Sequence, residues 1–281
     1  MKSQTQFNWI FIIVAGAIIL TFFVNFAFKF KSFQEEKLSI ELLINFDNAL
    51  TNLQASLFNT FDIIEIPKDV EITCNEFRIE DKNYDNNKLI FSPNILKDKI
   101  YIYYKQFNFP FNVENLYYII SPGNRFYLIV NDAESREYAE SLIEDLPEKF
   151  RENIQIKATR QLTGKNIFIN QNSANDANII LQDNKVSIYY KNKLYDDVNK
   201  ELVYGIIFSE NFECNYNKLK SSLEKTVDVY QNKVFLLQNS NCNYASFSQY
   251  LQRLKEMKYQ DVNAVETLNK NLASQNCPTL Y

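Results

Sequence analysis

The sequence predicts an α/β domain whose mixed sheet contains a βαβ unit, preceded by a long N-terminal transmembrane helix and followed by an α-helical hairpin. Three observations predict this order. Residues 9–28 form an uncharged apolar run, residues 125–158 pass from strand to helix to strand patterns, and residues 214–281 repeat apolar positions every three or four residues. These three patterns indicate a membrane helix, an α/β unit and amphipathic helices, respectively.

We divide the chain accordingly into four predicted parts. Residues 1–32 are a transmembrane anchor and residues 33–66 an amphipathic helix that continues from it. Residues 67–213 form the α/β domain, and residues 214–281 form a helical hairpin packed on the same domain.

The anchor is the run from Trp9 to Phe28, in which only Thr21 and Asn25 are polar. About 20 apolar residues at 1.5 Å each cross a hydrocarbon core of roughly 30 Å. A cleaved signal peptide would have a shorter apolar region and a small-residue cleavage site, which residues 25–29 do not offer. A buried helix of a soluble protein is the remaining alternative.

The side of the membrane is predicted from the cysteines. The positive charges that flank the anchor are nearly balanced, so the positive-inside rule gives little guidance. All four cysteines follow the anchor, which favours an oxidising, extracytoplasmic location for the domain. Four reduced, buried thiols in a cytoplasmic domain are the alternative.

The helix is expected to continue past the anchor, because neither Gly nor Pro occurs between Gly16 and Pro67. Apolar residues at helical spacing then predict one face that packs on the domain. These residues are Leu38, Leu42, Leu43, Phe46, Leu50, Leu53, Leu57 and Phe61.

The N-terminal segment resembles archaeal type IV pilins of the class III signal type. In Met1-Lys2-Ser3-Gln4 a short basic leader meets a Gln just before the apolar helix. Pilins usually have Gly at the position of Ser3 and Glu at that of Asn8. The resemblance covers about the first sixty residues and implies an assembly role.

The whole chain also resembles uncharacterised single-pass envelope proteins of small-genome archaea. The shared features are the segment Tyr204-Gly-Ile-Ile-Phe208, interpreted as part of a strand at 202–209, and the terminus Cys277-Pro-x-x-Tyr281. This resemblance implies no known activity.

Within the domain, β-branched and aromatic runs separated by Asn, Asp, Pro and Ser predict strands. They cover residues 70–79, 100–104, 116–120, 125–130, 154–158, 165–170, 177–182, 186–190 and 202–209. A helix to about Phe150 makes residues 125–158 a βαβ crossover with parallel strands. Residues 177–190, with a turn at Asp183-Asn184, predict a hairpin.

Asp132 is the one candidate ligand residue, because open α/β sheets bind ligands at the carboxyl ends of parallel strands. The alternative role, which we favour, is the N-cap of the following helix. An aromatic run could likewise be a binding platform, although strand core is the commoner use. It comprises Tyr101, Tyr103, Tyr104, Phe107, Phe109 and Phe111.

The cysteines are predicted to pair as Cys214–Cys277 and Cys74–Cys242. Residues 239–244 form the turn between two long helices, so Cys242 lies roughly 35 Å from Cys214 and from Cys277 if both helices are unbroken. Disulfides need Cα atoms within about 7 Å. A kink near Tyr259-Gln260-Asp261 would instead allow Cys242–Cys277. No C-x₂-C spacing indicates a zinc site.

Composition limits the function. The chain has no His and four scattered Gly, which excludes Ser-His-Asp triads, imidazole zinc sites and Gly-rich phosphate loops. A net charge of −4 offers no basic field for nucleic acid.

We therefore expect no nucleotide, no metal and no other cofactor. The predicted function is an extracytoplasmic structural or binding protein of the envelope, held in the lipid bilayer, with an envelope protein or further copies of itself as partner. A surface hydrolase using carboxylates and a solute-binding domain are the alternatives.

Overall fold

The computed structural model describes residues 3–54, 60–171, 173, 176–183, 185–238 and 242–281. The helices are α1 Ser3–Gln54, α2 Ala133–Glu144, α3 Glu148–Arg151, α4 Lys200–Phe208, α5 Phe212–Leu237, α6 Ala245–Leu254 and α7 Gln260–Ser274. The first strands are β1 Thr60–Glu65, β2 Val70–Ile72, β3 Glu76–Ile79, β4 Lys82–Asp85, β5 Leu89–Phe91, β6 Ile95–Leu96, β7 Lys99–Asn108 and β8 Asn112–Ile120. They are followed by β9 Phe126–Ile129, β10 Ile154–Lys157, β11 Lys165–Ile169, β12 Ala177–Gln182, β13 Lys185–Tyr190 and β14 Lys193–Tyr195.

Helix α1 runs without a break from the apolar segment into the domain. The predicted packing face is confirmed at Leu43, Phe46 and Leu50, which are at most 3% exposed. The helix is described as far as Gln54, and residues 60–65 form a strand, so its predicted continuation to residue 66 is wrong. Phe61 lies instead in β1, where all six residues pair with β7 and antiparallel hydrogen bonds replace those of a helix. Leu57 lies outside the described residues.

The central sheet has the strand order β1-β7-β8-β5 and is covered on both faces. On one face, Ile102 and Ile119 pack against α1 and against a small sheet of order β4-β3-β2-β6. On the other face, Tyr103 and Tyr118 belong to the main core, which includes α4 and α5. Burial on both faces explains why the predicted strands at 100–104 and 116–120 are rich in apolar residues.

The small sheet corrects the prediction of one strand over residues 70–79. This segment folds into the antiparallel hairpin β2–β3. The turn forms because the Thr73 amide donates to the Glu76 carbonyl at 3.0 Å, and the Thr73 hydroxyl accepts from the Glu76 amide at 3.2 Å. Cys74 therefore lies at a turn beside α5.

The six-stranded sheet confirms the predicted βαβ unit. Its order is β10-β9-β11-β12-β13-β14, and β10 pairs in parallel with β9, with Ile154 opposite Phe126. The predicted antiparallel pairing of β12 with β13 is also present. Asn184, in the predicted turn, lies outside the described residues.

The prediction of a strand over residues 202–209 is wrong, because these residues form α4. Asn199 caps the helix by accepting a hydrogen bond from the Leu202 amide at 3.2 Å. All residues from Leu202 to Phe208 are buried. A helix that is apolar all round has no amphipathic period, so a short run of this kind cannot be distinguished from a buried strand. A Cβ at Gly205 would lie 2.8 Å from the Phe91 ring, so any residue other than glycine would require this ring to shift.

The predicted C-terminal helices are present, but the second helix of the predicted hairpin is divided into α6 and α7. Helix α6 ends at Leu254 and α7 begins at Gln260, and α6 packs against both α5 and α7. Met257, with φ of 60°, lies in the turn between α6 and α7. Residues 239–241 of the predicted turn between α5 and α6 lie outside the described residues.

Candidate functional site

Among the described residues, most of the exposed large apolar side chains lie in the N-terminal part of α1. The large apolar side chains of Trp9 and of residues 11–33 are 46–73% exposed. Soluble proteins rarely expose contiguous apolar patches of more than a few hundred Å². Among the described residues, α1 is the one helix long and apolar enough to cross a membrane.

The helix changes its surroundings between Phe33 and Ser39. Salt bridges join Lys31 to Glu35 and Lys37 to Glu41 along its exposed surface. Lys82, the first residue of β4, contacts Glu36 at 2.6 Å, and this hydrogen bond raises the pKa of Lys82. Ser39 is fully buried. The apolar segment therefore gives way to a charged segment, and then to residues enclosed by the domain.

The structure places Asp132 at the N-terminus of α2, directly after β9. Its carboxylate accepts hydrogen bonds from the Ser135 amide and the Ser135 hydroxyl, both at 2.8 Å. These bonds, the amide first, lower the pKa of Asp132. The favoured capping role is confirmed, whereas a ligand role for this exposed residue stays a prediction.

The predicted aromatic run lies in the core. All six of its members are at most 8% exposed. The rings pack on one another and on neighbouring elements, as in Phe107–Phe109 at 5.7 Å and Phe111–Tyr230 at 4.1 Å between centroids. The run is therefore not available as a binding platform.

The predicted cysteine pairing is wrong. The structure joins Cys74 to Cys214, with Cα atoms 6.1 Å apart, and Cys242 to Cys277, with Cα atoms 6.0 Å apart. The prediction failed because it assumed an unbroken second helix. The turn between α6 and α7 lets the chain double back, and this brings Cys277 to Cys242.

The first disulfide links two layers of the fold. Cys74 belongs to the β2–β3 turn and Cys214 to the first turn of α5. Next to it, Lys218 donates to the carbonyls of Cys74 and Asn86, and burial lowers the pKa of Lys218. The β2–β3 turn is thus held to α5 by one covalent bond and by hydrogen bonds from an ammonium group.

Lys165 is a second partly buried lysine that sequence reasoning missed. Its ammonium donates to the carbonyls of Ile206 and Ser209 at the C-terminus of α4, where the helix dipole favours a cation. Burial lowers the pKa of Lys165 to about 7, and the charge of Glu210 opposes that shift. A Lys at the start of a strand gives no sequence signal for such a role.

Two of the clefts in the described part of the domain lie beside α5 and α2, and both are open to solvent. One, of about 450 Å³, lies between the β4–β5 loop and α5 and is lined by Asn86, Glu114 and Lys218. The other, of about 400 Å³, lies between α2 and the β12–β13 hairpin, with Glu134 and Glu137 on its wall. Among the described residues, no three His, Cys, Asp or Glu side chains are grouped as a metal site.

The fold and this surface define a class of protein: a disulfide-bonded α/β domain carried on a long apolar helix. No protein-family model, no curated protein and no solved structure matches the chain.

The cap at Asp132 predicts a pH-dependent contribution to stability. Because the pKa of Asp132 is lowered on folding, its contribution is present above the unfolded value near 3.8 and is lost as the pH falls through the folded value. Asp132→Ala should lower the melting temperature at pH 7, and the difference from wild type should shrink below pH 4. Thermal denaturation followed by circular dichroism from pH 2 to pH 7 measures both.

Asp132→Asn is the matched control, since Asn also caps helices but does not titrate. It should stay close to wild type at pH 7. A deficit of Asp132→Ala that is the same at pH 2 and pH 7 would contradict the assignment.

The two disulfides should contribute unequally to stability. They close segments of 140 and 35 residues. In the chain-entropy model the longer loop stabilises the fold by roughly 1 kcal/mol more. The double variant C74A/C214A should therefore melt below C242A/C277A. Unreduced peptide mapping of the wild type should yield these two linked pairs, and Cys214 linked to Cys277 would refute the topology.

Proposed function

We propose that the protein is a single-pass, membrane-anchored structural or binding protein of the cell envelope, with its domain on the extracytoplasmic side. The observation that carries this proposal is the two-part burial of α1. Its first half exposes apolar side chains that only lipid or protein can cover, and its second half supplies Leu43, Phe46 and Leu50 to the core of the domain. Such a helix holds the domain rigidly at the membrane.

The two disulfides support the extracytoplasmic side. Structural disulfides persist in oxidising compartments and are rare where thiols are kept reduced. All four cysteines belong to the domain and all four are paired.

A pilin-like role in a surface assembly is the finer version of this proposal. It is supported by the resemblance of the N-terminal segment and by the division of one helix between an apolar segment and the domain. Met1 and Lys2, which belong to the leader-like segment, lie outside the described residues.

The two alternatives have less support. A binding platform made of the aromatic run would need exposed rings, and those rings are buried. A hydrolase would need two carboxylates facing each other across a cleft. Glu134 and Glu137 instead lie side by side on one exposed face of α2.

The anchor is tested with charges placed in the apolar segment. Each Lys near the centre of a membrane helix costs about 2.5–3.5 kcal/mol on insertion scales. I18K/F22K should therefore lose the resistance to alkaline extraction that the wild type shows in membrane pellets. V229K/F235K is the matched control, because its side chains on α5 are equally exposed but belong to the domain. It should remain in the pellet.

The side of the membrane on which the domain lies is tested in the same cells with an amine-biotinylation reagent that cannot cross the membrane. Lysines of the domain should be labelled in intact cells. A wild type that is extracted by alkali, or a membrane-bound domain that is labelled only after lysis, would contradict the proposal.

A further inference from the structure

An apolar stripe follows α1 from the membrane segment into water. Its members alternate by four and three residues, which is the spacing of the a and d positions of a coiled coil. We call it the outer stripe: Ile19, Phe23, Phe26, Phe30, Phe33, Lys37, Ile40 and Ile44. Its seven apolar members are 42–64% exposed, so no described part of the chain covers them.

The outer stripe lies on a different side of α1 from the domain. The residues that enter the domain core include Leu43, Phe46 and Leu50. At 100° per residue their mean direction is about 140° from that of the outer stripe. A second helix can therefore pack on the stripe without displacing the domain.

Lipid cannot cover the whole stripe. With Phe28 at the edge of the hydrocarbon, Phe33 and Ile44 lie about 7 Å and 24 Å beyond it at 1.5 Å per residue. The salt bridges Lys31–Glu35 and Lys37–Glu41 place this segment in water. Phe33, Ile40 and Ile44 therefore need a protein partner if they are to be buried.

We propose that the partner is a second copy of this chain, packed in parallel along the outer stripe as a two-fold dimer. This inference rests on the proposed anchoring, because copies in one membrane share one orientation. Equal heptad positions then face each other through the bilayer and above it. A C₂ interface needs such a self-complementary surface.

Charge complementarity between the stripe and its edge also favours a second copy. Lys37 is the one charged member, and a lone Lys at an a position fixes the register of parallel helices. In a parallel pair, Glu36 occupies the g position that borders the hole receiving Lys37 of the second copy. Lys82 contacts Glu36 and holds it beside the stripe.

The dimer is tested by cysteine cross-linking of the full chain in membranes. The native cysteines are paired, so a single added cysteine is the one free thiol. Phe33→Cys and Ile40→Cys should form disulfide-linked dimers under mild oxidant, because equal a or d positions bring Cα atoms within disulfide range. Lys31→Cys and Asn45→Cys are exposed controls on other sides of the helix, and they should cross-link several-fold less.

A second variant tests the stripe without touching the membrane segment. Ile40→Gln/Ile44→Gln should raise the dimer dissociation constant in nanodiscs at least about a hundredfold, since four apolar side chains lose their burial. Both residues are exposed in the single chain, so its melting temperature and membrane retention should not change.

Three results would overturn the inference. These are equal cross-linking at all four positions, cross-links to a protein of another mass, or a wild type that stays monomeric in nanodiscs. In each case retention in the membrane would leave the anchoring proposal intact, whereas loss from the membrane would refute the anchoring itself.

Discussion

The rest of the structure depends on the packing of α1 between the central sheet and the small sheet. Leu43, Phe46 and Leu50 are enclosed there, and each buried side chain of this kind contributes about 1.5–3 kcal/mol. Exposed ion pairs such as Lys37–Glu41 contribute at most about 1 kcal/mol. The apolar contacts therefore hold the helix in the domain. The ion pairs lie on the segment between the apolar run and the domain, where charged side chains favour contact with water.

Hydrogen bonds fix the register of that packing. The hydroxyl of Tyr117 in β8 donates to the carbonyl of Leu50 at 3.0 Å, in the last turn of α1. Lys88 also contacts Asp47 of the helix. Since α1 is one unbroken helix, a direction fixed at Leu50 sets the direction of its apolar half. The proposed anchoring and the proposed dimer both depend on this continuity.

The sequence predicts elements whose side chains keep a clear period. The face of α1 that packs on the domain, the βαβ unit and the β12–β13 hairpin have such a period, because each face of these elements has one environment. Helix α4 has none, since it is buried all round. The Asp132 cap was predictable from its position before a helix. The disulfides depended on the short turn around Met257, and the roles of Lys165 and Lys218 depend on carbonyls from distant elements, which no local pattern encodes.

Hydrogen exchange of the full chain at one copy per nanodisc, followed by mass spectrometry, tests the central claim most directly. Two segments of α1 should exchange slowly, residues 9–28 because lipid surrounds them and residues 39–54 because the domain core does. Residues 31–37 between them should exchange faster. Exchange of residues 39–54 as fast as that of residues 31–37 would show that the helix is not part of the core. Equally fast exchange of residues 9–28 would show that it does not lie in the membrane.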